Sequence, residues 1–302
     1  MGNLKVMKME EAISKYVREG DTLFFSGMQH GEPSAAIHEI TRQKIGHLKI
    51  ISALTHTLSI LIGEGLVDHI FTGFLPQDQK IVYPLLRSEK LGRKPKIEEY
   101  SHFAICLALL AGQLNIPFIP ARILLGSDIM KYNPNLKKVR CPFTNEELLA
   151  IKSVRPDIGI LHCQRADSEG NAQKWGSLGV DIEGLGASRK IIVTTEKIVD
   201  SNIIRKNPNM TIVPGFRVVA VVEQPWGAYP SHLAGYYHDD FFNFMRITRN
   251  PEEFEIYIKE YVYGTKNWNE YLDKLRMKKG DNYLENLRIK NVNWSEPICT
   301  GI

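Results

Sequence analysis

The sequence has few of the features that mark specialised protein classes. Only four of its 302 residues are cysteines, and no two of these have the Cys-x-x-Cys spacing common in zinc sites. Its 38 basic and 34 acidic side chains nearly balance, which gives no support for a nucleic-acid-binding protein with its clustered basic face. We therefore expect no metal site and no nucleic-acid partner.

Long uninterrupted apolar runs are also missing. The longest apolar tract extends from Phe103 to Leu125 and is broken by Gln113, Pro117 and other residues. A membrane span needs about 20 predominantly apolar residues, so we expect no membrane association. The tract instead predicts a buried helix from Phe103 to Leu114 and a strand over 118–125. The N-terminal segment lacks the apolar centre of a signal peptide, which predicts a cytoplasmic protein with reduced thiols.

Short apolar runs alternate with helix-like segments over residues 1–245. Three of them, DIGILHC, KIIVTT and VVAVVEQ, are rich in isoleucine and valine and are typical of strands buried on both faces. Helical spacing in MEEAISKYVREGD and PSAAIHEITRQ predicts helices around the strand TLFFSG. This alternation predicts an α/β fold, an open and mostly parallel sheet flanked by helices. The basic run from Arg87 to Lys96 is predicted to be a solvated loop.

The character of the sequence changes near residue 245. The following segment is charged and helix-periodic, with an apolar stripe that includes Phe254, Tyr257 and Ile258. Residues 246–302 are therefore predicted to form a helical C-terminal extension that packs on the first domain, 1–245, or on a partner. The last twelve residues, NVNWSEPICTGI, are predicted to be a loosely held tail.

Three loops that follow predicted strands are candidate ligand sites, because open α/β sheets bind ligands beyond the carboxyl ends of their strands. The first is SGMQHGEPS, Ser26 to Ser34, which contains the glycine loop from Gly27 to Gly31 and has an ordinary turn as the alternative. The second is the turn at Gly126 and Ser127, where Ser127 or Asp128 has a helix cap as its alternative role. The third lies in the segment HCQRADSEGN.

HCQRADSEGN contains a histidine, a cysteine and two carboxylates within ten residues. His162 and Cys163 are neighbours on a predicted strand, so their side chains point to opposite faces and form no Cys–His pair. We expect Cys163 to be a packed strand residue. Glu169 lies among turn-forming residues that would hold it in water, where a nucleophilic carboxylate is poorly placed.

The order of several segments resembles the family I coenzyme A transferases, and most closely the A (α) subunits of the glutaconate type. The similarity extends from about Lys8 to Leu275 and rests on PSAAIHEITRQ, IPFIPARILLGSD, HCQRADSEGNAQKWG and IVPGFRVVAVVEQPWGAYPSHLAGYY. IPFIPARILLGSD is similar to the central strand of the family. The glycine loop departs from the family pattern, because Ser26-Gly27-Met28 stands where the family has Gly-Gly-Phe.

The resemblance implies one subunit of a heteromeric enzyme that moves CoA between carboxylic acids by a ping-pong mechanism. The catalytic glutamate would belong to a B (β) subunit, so this chain would have no catalytic residue of its own. CoA would enter as a thioester substrate, with no tightly bound cofactor. Two alternatives are a subunit of a ring-opening hydrolase of CoA thioesters and an inactive CoA-ester-binding subunit. The candidate substrate-binding residues are Gly27, Met28, Gln29, His30, Gly31, Ser52, Thr55, Ser101, His102, Gly126 and Ser127.

Overall fold

The structure, a computed structural model, describes residues 5–74 and 82–290. Its strands are β1 (Thr22–Phe25), β2 (Leu48–Ser52), β3 (Val67–Thr72), β4 (Lys96–Glu99), β5 (Phe118–Ala121), β6 (Leu136–Arg140), β7 (Glu147–Lys152), β8 (Ile158–Ala166), β9 (Ala172–Gln173), β10 (Lys190–Ile198), β11 (Thr211–Val213) and β12 (Val218–Glu223). Its α-helices are α1 (Met9–Tyr16), α2 (Ser34–Arg42), α3 (Ser59–Gly63), α4 (Val82–Lys90), α5 (His102–Gln113), α6 (Ile129–Tyr132), α7 (Asp181–Ala187), α8 (Ser201–Lys206), α9 (Phe241–Arg249), α10 (Pro251–Tyr257) and α11 (Trp268–Lys279). The predicted tail, 291–302, lies outside the described residues.

The main sheet is parallel at its centre. Its parallel strands lie in the order β12-β10-β8-β1-β2-β3-β4, and β9 and β11 add an antiparallel ribbon beside β8. The chain builds outward from β1 to β4 on one side and then from β8 to β12 on the other. The strand order therefore reverses between β1 and β8, and such a switch point is where open α/β sheets form a ligand crevice.

Alternating side chains divide the core into two layers. On β1, Leu23 and Phe25 pack into a core formed with α1, α2, α3 and the C-terminal helices. Phe24 points the other way and packs into a second core with α5 and α7. All nine residues of β8 are buried. Helices thus cover both faces of the sheet, and the predicted open parallel fold is confirmed.

The segment after α5 differs from its prediction. The strand ends at Ala121 instead of Leu125, and it belongs to a separate antiparallel sheet in the order β5-β7-β6. The expected central position of this segment is therefore wrong. Pro120 explains part of the difference, because β5 is an edge strand, where a missing N–H donor is tolerated.

The basic run from Arg87 to Lys96 is a solvated loop only in its middle, where residues 91–94 are exposed and lie outside helices and strands. It begins inside α4 and ends at the first residue of β4. Arg87 is partly buried and forms ion pairs with Glu64 and Glu255, each at 2.6 Å. Its guanidinium also donates to the carbonyl oxygen of Gly63, the last residue of α3. A cation is favoured at the C-terminal end of a helix, which together with the ion pairs compensates for its partial burial.

The C-terminal helices complete the first core. Phe254 and Trp268 are buried in it beside residues of the sheet, and the Trp268 indole N–H donates to the Trp226 carbonyl oxygen at 3.1 Å. The domain boundary predicted at residue 245 falls inside α9. Within the described part of the chain, no helix combines the length and apolar character that crossing a bilayer requires.

Candidate functional site

The glycine loop lies at the switch point of the sheet. It connects β1 to α2, which begins directly after Pro33. Beyond Phe25, β1 no longer pairs with β8, and the Ser26 N–H makes the last bond to the Ile160 carbonyl oxygen at 3.0 Å. The loop therefore leaves the sheet at the place where a ligand crevice is expected.

Main-chain groups of the glycine loop are held by several other segments. The Gly27 N–H donates to Asp181 Oδ1 at 2.7 Å, and the Thr55 hydroxyl donates to the Gly27 carbonyl oxygen at 3.0 Å. Gly27 has a φ of +96°, and an added Cβ would lie 2.9 Å from the Glu32 main chain. Glycine is therefore required at this position, because a side chain would be strained at this φ and would contact the main chain of Glu32.

Glu32 joins the glycine loop to the loop after β2. Its fully buried carboxylate accepts from the main-chain N–H groups of His56 and Thr57, both at 3.1 Å, and from the Thr57 hydroxyl at 2.9 Å. Burial raises the pKa of the Glu32 carboxyl to about 7, against the opposing effect of these donors. Both carboxylate oxygens accept hydrogen bonds from the loop after β2, so Glu32 holds the glycine loop against that loop.

His30 is an internal crosslink in this structure. Its Nδ1 lies 2.8 Å from the Ser177 carbonyl oxygen, and the Ala234 N–H points to its Nε2 at 3.1 Å. The first contact needs a protonated Nδ1 and the second an unprotonated Nε2, so the ring is neutral. Burial, followed by the nearby Lys174 charge, lowers the pKa of His30 to about 3. Both nitrogens are occupied, which leaves this histidine without a free atom for a ligand.

The glycine loop is joined by hydrogen bonds to Thr55 and His56, which line a small cleft at the end of β2; residues 27–31 do not line that cleft themselves. Gln29 is exposed, adopts a φ of +61°, and has its Nε2 3.1 Å from His56 Nε2. Ser52 accepts from the Thr55 N–H at 3.0 Å and keeps its own hydroxyl hydrogen for another acceptor. The described residues lining the cleft are Ile50, Ser52, Leu54, Thr55, His56, Leu58, Ile62, Ile70, Thr72 and Phe74.

Ser101 and His102 lie beside Phe74, a residue of the cleft lining, but do not line the cleft themselves. The His102 ring packs edge-on against Phe74 with centroids 5.9 Å apart. Its Nε2 is buried and has no hydrogen-bond partner among the residues that the structure describes. Ser101 accepts from the Ala104 N–H at 3.1 Å as the N-cap of α5. The Nε2 atom of His102 is therefore a buried polar atom beside the cleft that is not used by the described residues.

Gly126 and Ser127 lie apart from the other candidate residues. Gly126 is exposed, and Ser127 accepts from the Ile129 N–H at 3.2 Å, beside the start of α6. In the described ranges, neither residue forms a hydrogen bond to the glycine loop or to the loop after β2. The structure thus places Ser52 and Thr55 in the cleft lining, brings the glycine loop and His102 into contact with lining residues, and shows a local helix-start contact for Ser127.

HCQRADSEGN forms a strand end and a tight turn, as predicted. His162 and Cys163 are both buried but face different layers, so they do not pair. His162 Nδ1 lies 2.9 Å from Thr194 Oγ1, and its Nε2 lies 3.0 Å from Glu196 Oε1. Glu169 is exposed on the turn. Burial raises the pKa of the Cys163 thiol to about 12, which makes it a poor nucleophile.

Sequence reasoning missed Lys174 and Asp181, a buried ion pair beneath the glycine loop. Charged residues are rarely buried unless they are paired, and nothing in the local spacing of AQKWG or GVDIEG indicates burial. A search of the described residues finds no group of three histidine, cysteine or acidic side chains arranged to hold a metal ion.

Comparisons with known proteins identify the family. A model of the coenzyme A transferase family matches residues 6–224. The chain belongs to the coenzyme A transferases. It is 35% identical to the A subunit of 3-oxoadipate CoA-transferase from Pseudomonas knackmussii over 90% of this chain and 98% of that protein. It is also 31% identical to the A subunit of glutaconate CoA-transferase from Acidaminococcus fermentans over 94% and 95% of the two chains.

The fold of this coenzyme A transferase agrees with the sequence comparison. The crystal structure of glutaconate coenzyme A-transferase from A. fermentans superposes with a TM-score of 0.84 at 30% identity, and covers 94% of this chain and 96% of that one. The family, the enzyme class and the fold predicted from the sequence are thereby confirmed.

Proposed function

We propose that this chain is the A subunit of a heteromeric CoA-transferase, and that a B subunit contributes the catalytic glutamate. The observation that carries the proposal is the composition of the cleft. Its described lining offers hydroxyl, imidazole and apolar groups and includes no carboxylate. A CoA-transferase that works through an acyl-glutamyl anhydride must obtain its nucleophile from elsewhere.

Glu32, Asp181 and Glu169 are each unsuited to nucleophilic attack. Glu32 is buried and accepts three hydrogen bonds, and Asp181 is buried and paired with Lys174. Glu169 is exposed on a turn whose main chain contacts Lys5 and Gly215. None of the three combines an unoccupied oxygen with a partly desolvated position facing substrate, which supports a nucleophile in the partner.

The mechanism follows from the chemistry of the thioester. The partner's glutamate attacks the carbonyl carbon of an acyl-CoA, the CoA thiolate leaves, and an acyl-glutamyl anhydride forms. The thiolate then attacks the glutamyl carbonyl and displaces the first acid. An acceptor acid takes over CoA by the same steps in reverse. Donors such as the Gln29 amide are placed to stabilise an oxyanion that forms at the mouth of the cleft.

The cleft also suggests which part of the substrate it receives. Its lining includes the aliphatic side chains of Ile50, Leu58, Ile62 and Ile70, and its described part includes no lysine or arginine. The cleft has a volume of only about 20 Å³, enough for about one water, so an uncharged acyl group would meet its apolar lining at the mouth and not inside it. We therefore propose an acyl-CoA and a carboxylic acid as substrates, with CoA as substrate and not as a bound cofactor.

Three exposed phenylalanines support a partner at the mouth of the cleft. Phe74 lines the cleft, Phe103 follows His102 in the chain, and Phe242 follows Phe241, whose ring packs on His56 with centroids 4.8 Å apart. Exposed aromatic side chains grouped around a site are typical of protein interfaces.

The proposal is tested with this chain, a CoA-transferase B subunit from the same genome, and the two expressed together. Each preparation receives an acyl-CoA with and without acetate. We expect acetyl-CoA to form only in the combined preparation and only with acetate present. Release of free CoA thiol without an acceptor would instead identify a thioester hydrolase. Absence of both reactions across a panel of acyl-CoAs, with binding retained, would indicate an inactive CoA-ester-binding subunit.

A further inference from the structure

A buried ion pair lies beneath the glycine loop. Lys174 Nζ is 2.6 Å from Asp181 Oδ2, and neither side chain is more than 1% exposed. Removing two charges from water is costly, and the attraction between them often fails to repay that cost. A buried ion pair is therefore weak evidence that the two residues serve stability. Their position beneath the glycine loop points to another role.

Each member of the pair also holds a main-chain group of the loop. Asp181 uses its second oxygen to accept from the Gly27 N–H at 2.7 Å. The Lys174 ammonium donates to the His30 carbonyl oxygen at 3.1 Å. The two charged side chains thus hold the loop by hydrogen bonds at Gly27 and His30, on either side of Met28 and Gln29 at its tip.

The turn of HCQRADSEGN brings Lys174 to this place. Asp167 accepts from the main-chain N–H groups of Glu169 and Asn171, which reverses the chain after β8. Strand β9 then runs back antiparallel to β8, and Lys174 follows it directly. Gly31 makes room for the lysine, because an added Cβ there would lie 3.1 Å from Lys174 Cε.

We propose that Lys174 and Asp181 are positioning residues that set the direction of the glycine loop for the transfer reaction. Because Asp181 draws the Gly27 N–H inward, the Gly27 carbonyl oxygen is left to accept from Thr55 at the cleft. Because Lys174 draws the His30 carbonyl oxygen inward, the exposed Gln29 between these anchors keeps its left-handed φ of +61° beside His56. The role in catalysis rests on the proposed CoA-transferase function; the role in loop geometry does not.

A pair of double variants separates loop positioning from charge burial. Lys174→Met with Asp181→Asn removes both charges and retains an acceptor for the Gly27 N–H. Lys174→Met with Asp181→Leu also removes both charges and loses that acceptor. Neither leaves an unpaired buried charge, so the two proteins differ mainly in the bond to the loop. Tyr257→Phe is the control, because it deletes a buried hydrogen bond to His38 in the other part of the core.

Two readouts are measured on the complex with the B subunit: steady-state CoA transfer and amide hydrogen exchange of residues 26–31. We expect the leucine double variant to lose at least tenfold in kcat relative to the asparagine double variant, with a smaller change in KM. We also expect faster exchange in its glycine loop. Tyr257→Phe should lower the thermal midpoint and leave kcat and loop exchange unchanged.

The outcomes distinguish the two claims. Equal loop exchange in both double variants and the wild type would overturn the positioning role, whatever the activity. Faster loop exchange with unchanged kcat would overturn the catalytic consequence. If the wild-type complex transfers no CoA, the proposed function fails, and loop exchange still decides whether the pair holds the loop.

Discussion

Glu32 and Thr57 are joined by two hydrogen bonds, from the Thr57 N–H at 3.1 Å and from its hydroxyl at 2.9 Å, in a place closed to solvent. This contact connects the glycine loop to the loop after β2, although 25 residues separate the two in sequence. The cleft is therefore shaped by a buried carboxylate that does not itself face the cleft.

The first prediction concerns the pH dependence of this contact. Burial raises the Glu32 pKa from 4.5 to about 7, so the unfolded chain gives up this proton at a lower pH than the folded chain does. Between these values the unfolded state binds fewer protons, and stability falls as pH rises. We expect the free energy of unfolding of the wild type, relative to Glu32→Gln, to decrease by about 3 kcal/mol between pH 4.5 and pH 7.5.

The measurement is urea unfolding of both proteins across that pH range. The glutamine variant is the control because it does not titrate, while all other groups are shared. A difference that stays constant would mean that the hydrogen-bond donors offset burial in setting the Glu32 pKa, and one that grows with pH would mean that they outweigh it.

The second prediction concerns the space around Gly27. Gly27→Ala should lower the free energy of unfolding by at least about 2 kcal/mol, because the new Cβ meets both an unfavourable φ and the Glu32 main chain. Gly20→Ala is matched to it in conformation, with a φ of +81° and no atom within 4 Å of the added Cβ. It should lose only about 1–2 kcal/mol. Equal losses would show that contact with Glu32 does not constrain the loop.

The third prediction compares the two carboxylates of HCQRADSEGN. Asp167 is buried and accepts three hydrogen bonds, from the Glu169 N–H and from the N–H and side-chain amide of Asn171. Asp167→Asn turns one acceptor into a donor and should cost about 1–3 kcal/mol. Glu169→Gln should stay within about 0.5 kcal/mol of the wild type and retain full transfer activity in the complex.

These two variants are measured by thermal or urea unfolding and by the transfer assay. Loss of activity in Glu169→Gln at unchanged stability would place Glu169 in the reaction, against its exposed position on the turn.

The fourth prediction concerns the partner surface. Phe242 and Phe216 are each 85% exposed, but only Phe242 adjoins a residue that packs on the cleft. Phe242→Asp should weaken binding to the B subunit by tenfold or more, and tenfold corresponds to about 1.4 kcal/mol. Phe216→Asp should leave the affinity unchanged. Titration calorimetry checks both variants, and an equal effect of the two substitutions would remove the support for an interface at the cleft.

The sequence was informative wherever burial follows a simple pattern. The apolar runs of β8, β10 and β12 predicted the parallel sheet, because strands covered on both faces have no polar alternation. The glycine loop was identified from its place after the first strand. Strand β4, with the sequence KIEE, was missed because its polar side chains give no such signal.

Buried charges were the main source of error. Arg87 and Lys174 both have the sequence surroundings of surface residues, yet Lys174 is fully buried and Arg87 partly so, each paired with carboxylates from other parts of the fold. The partners of Arg87 come from the end of α3 and from the C-terminal helices, and a single sequence contains no trace of that proximity. His30 was predicted as a substrate-binding residue, whereas both of its ring nitrogens are taken by Ser177 and Ala234, neighbours that could be found only in the folded chain.

The most direct test of the central claim is the location of the covalent intermediate. The complex of this chain with a B subunit is incubated with an acyl-CoA, trapped with borohydride, digested and examined by mass spectrometry. We predict a modified glutamate in the B subunit, with no modification of this chain. A modified carboxylate in this chain, at Glu169 or at any other residue, would contradict the proposal.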